Sequence, residues 1–349
     1  MRNVYVAMSG GVDSAASALL LKELGYNVIG VTMMNICPEG EQKPLYVRDA
    51  QRVCEELGIP HKTLDLRDEF ADKIIGEFIA EYEAGRTPNP CVTCNRCIKF
   101  GTMFPKDESA LYATGHYAII EYDKETDKYL LKKAKDLKKD QSYMLYNLTQ
   151  EQMSRIIFPL GEYTKDEIRE YAKSHGIPVS EKADSQDICF IPDKDYAAFI
   201  EERTGKSYGT GHFIEKSSGR VLGQNKGQLH YTIGQRRGLG LALPASLYVC
   251  GKNVENNDVY LCSDEELYTD TVKARNINFC SIDRPADGTE VRCEAKIRYA
   301  HTPQPAVFTV NGDELTVKFD EPVRAVTSGQ SLVLYADDVV LGGGIITDK

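Results

Sequence analysis

No stretch of this chain approaches the roughly 18 consecutive apolar residues of a membrane-spanning helix, and it contains no internal repeat and no low-complexity tract. These absences exclude a membrane span and a repeat array as readings. Basic charge is in deficit, with 42 Lys and Arg against 52 Asp and Glu and a net charge of -10. At first sight that argues against a nucleic-acid partner, because neutralising phosphates needs Lys and Arg on the contacting face. The distribution reverses the argument. Arg203, Lys206, Lys216, Arg220, Lys226, Arg236 and Arg237 face a single acid, Glu215, and Lys132, Lys133, Lys135, Lys138 and Lys139 face only Asp136. Either cluster alone reads as a solvated surface; two on an acidic chain point to an anionic macromolecular partner.

With 349 residues and 42% hydrophobic content, the chain can bury cores for two or three domains. Its first residues read as a core strand rather than a signal peptide, so a cytoplasmic location is expected, with no membrane partner. The ten cysteines, with Cys91, Cys94 and Cys97 crowded together, suit redox or metal chemistry better than a secreted disulfide frame.

A lysine is also missing where one would be informative. Tyr5-Val6-Ala7-Met8-Ser9-Gly10-Gly11-Val12-Asp13-Ser14 reads as a strand, a glycine turn and a helix start. The arrangement suits a phosphate: the glycines admit close approach, the helix start offers unpaired N–H groups, and Ser9 and Ser14 add hydroxyls. The Walker pattern would place a lysine after its glycine, and none is there. Gly-Gly alone is an ordinary turn; six specified residues between strand and helix are not. Ser9 to Ser14 resembles the pyrophosphate loop (PP-loop) of the ATP pyrophosphatase superfamily, whose members adenylate a substrate and release pyrophosphate.

Further strands are expected at Asn27 to Met33 and Lys62 to Leu66, and helices at Val47 to Leu57, Glu69 to Glu83, Thr149 to Ile157 and Lys165 to His175. This alternation predicts a parallel sheet covered on both faces, with the nucleotide at the carboxyl ends of the strands. Leu111 to Tyr117 reads as a later strand leading into a second glycine turn at the same mouth. Past about Gly205 the helical period fades, and from Leu267 short alternating runs predict a β-barrel. The expected fold is α/β: a parallel-sheet PP-loop domain over residues 1-194, a small basic middle domain over 195-265, and a C-terminal β-barrel over 266-349.

Between Gly85 and Phe100 two prolines stiffen the approach to Cys91-Val92-Thr93-Cys94-Asn95-Arg96-Cys97. A helix beginning near Val92 would place a thiol in its first turn, where the dipole, Arg96 and Lys99 favour thiolate. The same spacing brings three thiols within reach of one metal or iron-sulfur cluster. Cys37, Cys54, Cys250, Cys262, Cys280 and Cys293 read as small buried hydrophobes.

These blocks make the likeness specific. The chain resembles the bacterial tRNA-specific 2-thiouridylases in its Ser9 loop, Gly85 to Pro90, Cys94-Asn95, Ile98 to Phe100, Ala113 to Tyr117, Lys139 to Tyr143, Ile188 to Ile191, Thr232 to Gly240 and Leu341 to Ile346. The resemblance implies ATP- and Mg2+-dependent replacement of the C2 oxygen of the wobble uridine by sulfur in tRNAs for Lys, Glu and Gln. It implies ATP contacts at Ala7, Met8, Ser9, Gly10, Gly11, Val12, Asp13, Ser14, Met33 and Gly115. Cys94 matches the nucleophile that receives sulfur as a persulfide, and Cys189 the cysteine that helps release it. Asn89, Pro90 and Cys91 match the segment at the target base, and Lys139, Asp140, Gln141, Arg298 and Tyr299 match tRNA contacts. His116 and Gln330 match positions that influence tRNA handling.

There is one departure: many members carry an aspartate where this chain has Cys91, and a non-cysteine at Cys97. Two expectations follow. Cys91, Cys94 and Cys189 hold a 4Fe-4S cluster that delivers bound sulfide, with Cys97 as alternate ligand or sulfur relay, or Cys94 receives sulfur as a persulfide from a sulfur donor protein and then pairs transiently with Cys189. Outside this family, the alternatives are an RNA-binding iron-sulfur protein without turnover, or a synthetase adenylating a small molecule.

Overall fold

The computed structural model describes residues 2–38, 40–177, 188–242 and 246–347. Five parallel strands form the first sheet, in the order β3 (His61–Asp65), β2 (Asn27–Met34), β1 (Asn3–Ala7), β4 (Leu111–Ala113), β7 (Ile156–Ile157). Strand alternation splits β1 between two cores. Val4 and Val6 pack under α1 (Val12–Glu23) and α2 (Leu45–Glu56), while Tyr5 and Ala7 face a larger aromatic core with Phe70, Phe78, Phe100 and Tyr112. Ala15, Ala16 and Ala18 keep α1 thin on its sheet side, so it lies close on β1 and carries the loop before it to the sheet's carboxyl edge.

Two helical readings are corrected. The expected helix from Glu69 to Glu83 begins at Arg67 and widens to a π-helical stretch over Ala71–Gly76 before resuming as Glu77–Glu83. Thr149 caps only a short helix, Gln150–Met153, because Ile156 and Ile157 are taken up as a strand opposite Tyr112 and Ala113. Arg155 fixes that change of direction by bonding the Pro105 and Asp107 carbonyls at 2.6 and 2.7 Å.

A hairpin, β5 (Ile119–Asp123) with β6 (Lys128–Lys132), leaves the first sheet altogether. The small middle sheet follows, β10 (Tyr248–Lys252), β11 (Val259–Cys262), β8 (Gly211–Glu215), β9 (Val221–Asn225), around Phe213, Tyr231, Val249 and Leu261. The last sheet closes on itself as β12 (Tyr268–Phe279), β15 (Glu314–Arg324), β14 (Gln304–Asn311), β13 (Val291–Lys296), β16 (Ser331–Ala336), β17 (Val339–Ile346), with β17 paired back to β12. A parallel-sheet domain, a small middle sheet and a C-terminal barrel are thus the architecture read from the sequence.

The barrel is bolted to the first domain. Strand β6 pairs with β17 at Val339 and Val340, Tyr143 donates to the Ser331 carbonyl at 2.8 Å, and Val333, Tyr335 and Val340 join the aromatic core. In β17 the Cβ of any other residue at 343 would stand 2.5 Å from the Leu332 carbonyl and 3.0 Å from the Tyr146 ring. Only glycine lets that strand run between its neighbours and the first domain.

Candidate active site

The Ser9 turn closes through its own hydroxyls. Ser14 Oγ accepts from the Ser9 amide at 3.2 Å, donates to the Gly11 carbonyl at 3.0 Å, and lies 3.2 Å from Ser9 Oγ. Gly10 holds a φ of +73°, and a Cβ there would meet the Tyr46 carbonyl at 2.6 Å. Gly11 precedes α1 with no side chain capping the helix start, leaving its amides for an anion. Ala7 ends β1, and the Met8 amide donates to the Val31 carbonyl at 2.8 Å. Met33 lies near the end of the neighbouring strand, partly buried against the aromatic core.

The second glycine turn packs on this loop: a Cβ at Gly115 would lie 3.0 Å from Asp13 and 3.1 Å from the Ser14 amide. Tyr117 donates to Asp13 Oδ1 at 2.9 Å, and Lys165 Nζ reaches both Asp13 oxygens at 2.7 and 2.8 Å. Sequence reasoning missed Lys165, which stands 152 residues downstream with nothing local to mark it.

The cysteine helix begins earlier than expected. Asn89 is its cap, accepting the Cys91 amide at 3.2 Å, with Pro90 in the first turn. Cys91 is exposed in that first turn, while Cys94 lies deeper, only 7% exposed among Val92, Ile98 and Phe100. A helix dipole fades beyond its first turn, and burial pushes the Cys94 thiol up to about 12, against a smaller opposing pull from Lys99. The expected first-turn thiolate is therefore corrected: at neutral pH Cys94 rests as a thiol. The helix continues as a π-helical stretch, Asn95–Thr102.

Cys189 is brought to the carboxyl end of β2, where Asn35 Nδ2 donates to its sulfur at 3.8 Å. Tyr46 orients that amide by donating to Asn35 Oδ1 at 2.8 Å, and its own carbonyl is the atom packed over Gly10. One chain of contacts thus runs from the Ser9 turn to Cys189. Cys189 is an exposed residue, but desolvation of its sulfur by the atoms around it raises the thiol, the nearby Cys91 adds to the rise, and the Asn35 bond opposes it. Replacing Asn35 with Leu is expected to shift the pH profile of Cys189 alkylation upward and slow alkylation several-fold at neutral pH, read by mass spectrometry of the labelled thiol.

Cys91, Cys94 and Cys189 lie close enough to interact electrostatically. Among the described residues, however, no group of three or more His, Cys, Asp or Glu side chains is set to hold a metal ion. As placed, the three thiols do not form the ligand cage expected of a cluster.

Several positions expected at RNA turn inward. His116 bonds Thr114 Oγ1 through Nδ1 at 2.7 Å and packs against Phe100 and Phe158; burial holds it well below the usual imidazole range. The Asp140 carboxylate takes the Ala134 amide and the Ser142 hydroxyl, and Gln141 braces Tyr117. Lys139 is half-buried. Arg298 donates to the Arg324 carbonyl at 3.1 Å and Tyr299 to the Asp140 carbonyl at 2.9 Å. Gln330 holds the Thr87 carbonyl at 2.8 Å, so the barrel clamps the approach to Asn89. The basic clusters are partly paired: Lys132 with Glu121 and Asp338, Lys135 with Glu167, Lys206 with Glu83, Lys216 with Glu266. Arg236 and Arg237 are exposed and make no ion pair among the described residues.

Fold and site together define an α/β protein in which Cys94 and Cys189 lie near a glycine turn at the carboxyl edge of a parallel sheet. Family models match in chain order: the tRNA methyl transferase HUP domain at residues 2–193, its PRC-barrel domain at 197–263 and the aminomethyltransferase β-barrel domain at 269–346. Similar full-length proteins include tRNA-specific 2-thiouridylase MnmA 2 of Caldanaerobacter subterraneus subsp. tengcongensis, 48% identical over 99% of this chain and 98% of its own. The MnmA proteins of Acetivibrio thermocellus (45%, covering 99% of both chains) and Clostridioides difficile (46%, covering 99% of this chain and 98% of its own) are similar to it as well. The chain belongs to the tRNA-specific 2-thiouridylase (MnmA) family.

Proposed function

We propose that this protein replaces the C2 oxygen of the wobble uridine of tRNA with sulfur, using ATP to activate the oxygen and Cys94 to deliver the sulfur. One observation carries the reading: the Gly10–Tyr46–Asn35 contacts tie the phosphate loop to Cys189, which lies within electrostatic reach of Cys94. The α-phosphate and the sulfur nucleophile therefore address one mouth.

Uridine O2 attacks the α-phosphorus and expels pyrophosphate, turning a poor leaving group into AMP. The loop amides and the Ser9 and Ser14 hydroxyls hold the phosphates. Mg2+ would neutralise phosphate charge there, and Asp13, the carboxylate in the first turn after the loop, would be the side chain to hold it. Cys94 carries a persulfide whose terminal sulfur, more acidic than the buried thiol, attacks C2 and expels AMP. Cys189 then attacks the Cys94 sulfur, freeing 2-thiouridine and leaving a Cys94–Cys189 disulfide for an external thiol to reduce. Asn35 supports that attack by donating to the Cys189 sulfur.

The persulfide route is preferred over the cluster route because, among the described residues, Cys91, Cys94 and Cys189 are near one another without being arranged as a metal cage. The family description speaks of methyl transfer; relatives matching the chain end to end are named thiouridylases, and paired thiols beside a phosphate loop suit thiolation. Pyrophosphate release that requires tRNA is expected. Release with a small metabolite in its place would favour a synthetase. Arg236 and Arg237 are adjacent exposed cations available to RNA phosphate. Replacing both with Ala should weaken tRNA binding and lower the slope of log affinity against log salt by roughly 1–2; an unchanged slope would remove them from the interface.

A further inference from the structure

Two thiols of the middle sheet stand apart from the cysteines of the active site. Strands β10 and β11 pair Tyr248 with Cys262, Val249 with Leu261, and then Gly251 with Tyr260, so Cys250 is an extra residue bulged out of β10. Val249 and Leu261 turn into the core with Phe213 and Tyr231. Strand alternation puts Cys262 on the opposite face. The bulged Cys250 joins it there, its sulfur 3.4 Å from the Tyr260 carbonyl and hydrogen-bonded to the Cys262 thiol. Cys262 is buried, as expected, but Cys250 is only partly so, and neither belongs to the middle-sheet core. The Lys216–Glu266 ion pair, 3.5 Å apart at the surface, flanks both sulfurs.

The bulge adjoins a basic loop. The Gly234 amide donates to the Val249 carbonyl at 2.7 Å, and the Val249 amide to the Gln235 carbonyl at 2.9 Å. Val249, next to the bulged cysteine, therefore carries the loop that runs into Arg236 and Arg237. Burial pushes the Cys250 thiol up to about 12 and also raises Cys262, so at neutral pH both rest as thiols.

We propose that Cys250 and Cys262 interconvert between dithiol and disulfide and thereby tune the Arg236–Arg237 loop for RNA. The oxidant is a low-molecular-weight disulfide. Cys250, the partly exposed thiol, attacks one of its sulfurs, forming a mixed disulfide and releasing one small thiol. Cys262 then attacks the Cys250 sulfur and expels the second. The two protein thiols give up two electrons and two protons, and the small disulfide becomes two thiols. A disulfide holds its Cβ atoms about 3.5–4.5 Å apart, so closing it draws the bulge against β11 and moves Val249 with the loop it carries. The consequence for RNA rests on the reading of Arg236 and Arg237 above; the disulfide itself does not.

The test incubates the full chain with oxidised glutathione, blocks the remaining thiols, and reads both disulfide-linked peptides and tRNA binding. A peptide pair joined through Cys250 and Cys262 is expected. With it should come tRNA affinity at least about three-fold weaker and a salt slope lowered as in the double arginine variant; a dithiol reductant should restore both. Cys250→Ala keeps every thiol of the active site, so its tRNA affinity should be the same oxidised and reduced. A mixed disulfide at Cys250 that never closes on Cys262, or no reaction at either residue, would overturn the pair. Linked peptides with unchanged tRNA affinity, or an equal loss in oxidised Cys250→Ala, would overturn the coupling to the loop. Failure of the reduced, unsubstituted chain to bind tRNA would overturn the RNA reading and the coupling together, whereas the linked peptides would still establish the pair.

Discussion

Replacing Cys94 with Ser is expected to abolish tRNA thiolation, by at least about a thousand-fold, while leaving pyrophosphate binding within a factor of about two. Serine cannot carry a persulfide, so no sulfur reaches C2. The loop is built from other elements: its closing bonds join Ser9, Gly11 and Ser14, and Cys94 touches none of them. The cost of the change falls on stability. Cys94 lies in the aromatic core with 7% of its surface exposed, and an unpaired hydroxyl there costs about 1–3 kcal/mol. Cys94→Ala, which leaves no unpaired hydroxyl, should recover part of that stability and none of the activity. Thiolation read by nucleoside mass spectrometry, beside a thermal melt, separates the two effects; wild-type thiolation in either variant would remove Cys94 from the reaction.

The second large effect is expected at Gly10. An alanine there faces a φ of +73°, with its Cβ 2.6 Å from the Tyr46 carbonyl and 3.0 Å from the Asp49 side chain. Backbone strain alone costs about 1–2 kcal/mol, and the clash is with backbone of α2, which cannot swing aside. The loop or Tyr46 must shift. Either movement damages phosphate binding, and the second also releases Asn35 from Cys189. Gly10→Ala should therefore lower ATP affinity more than ten-fold and reduce thiolation further still. Gly25 provides the control: its φ is +84°, and nothing lies within 4 Å of the added Cβ. Gly25→Ala should show the strain alone, a melting temperature lower by roughly 2–8 °C, with ATP affinity unchanged. Equal losses of ATP affinity in both variants would show that Gly10 matters only for folding.

What the sequence made legible follows from how local each signal is. The Ser9 loop needs a strand, a turn and a helix start within one short stretch, and all three are written there. The parallel sheet and the barrel repeat their periods over several elements. The burial of Cys94 was not legible, because it depends on the helix starting at Asn89 and Pro90 rather than Val92, a shift that moves the thiol out of the first turn and into the core. Nor was the attachment of the barrel: Ile119–Asp123 and Lys128–Lys132 are short and partly charged, and only the tertiary fold shows β6 extending the sheet at Val339 and Val340. Which cations of the basic clusters stay unpaired was not legible either, since sequence proximity does not reveal that Lys132 and Lys206 answer carboxylates on other elements. Asn35 and Lys165 meet their partners 154 and 152 residues away in sequence. The pattern around Cys189 from 178 to 187 lies outside the described residues.

The central claim is that sulfur passes from Cys94 to an activated uridine and is then freed by Cys189. A single turnover with Cys189→Ser, persulfide-loaded enzyme, ATP, Mg2+ and radiolabelled tRNA tests it most directly. The account predicts AMP release together with a protein–tRNA adduct joined through Cys94, stable on a denaturing gel and yielding 2-thiouridine when thiol is added. Free 2-thiouridine formed without reductant and without an adduct would contradict it.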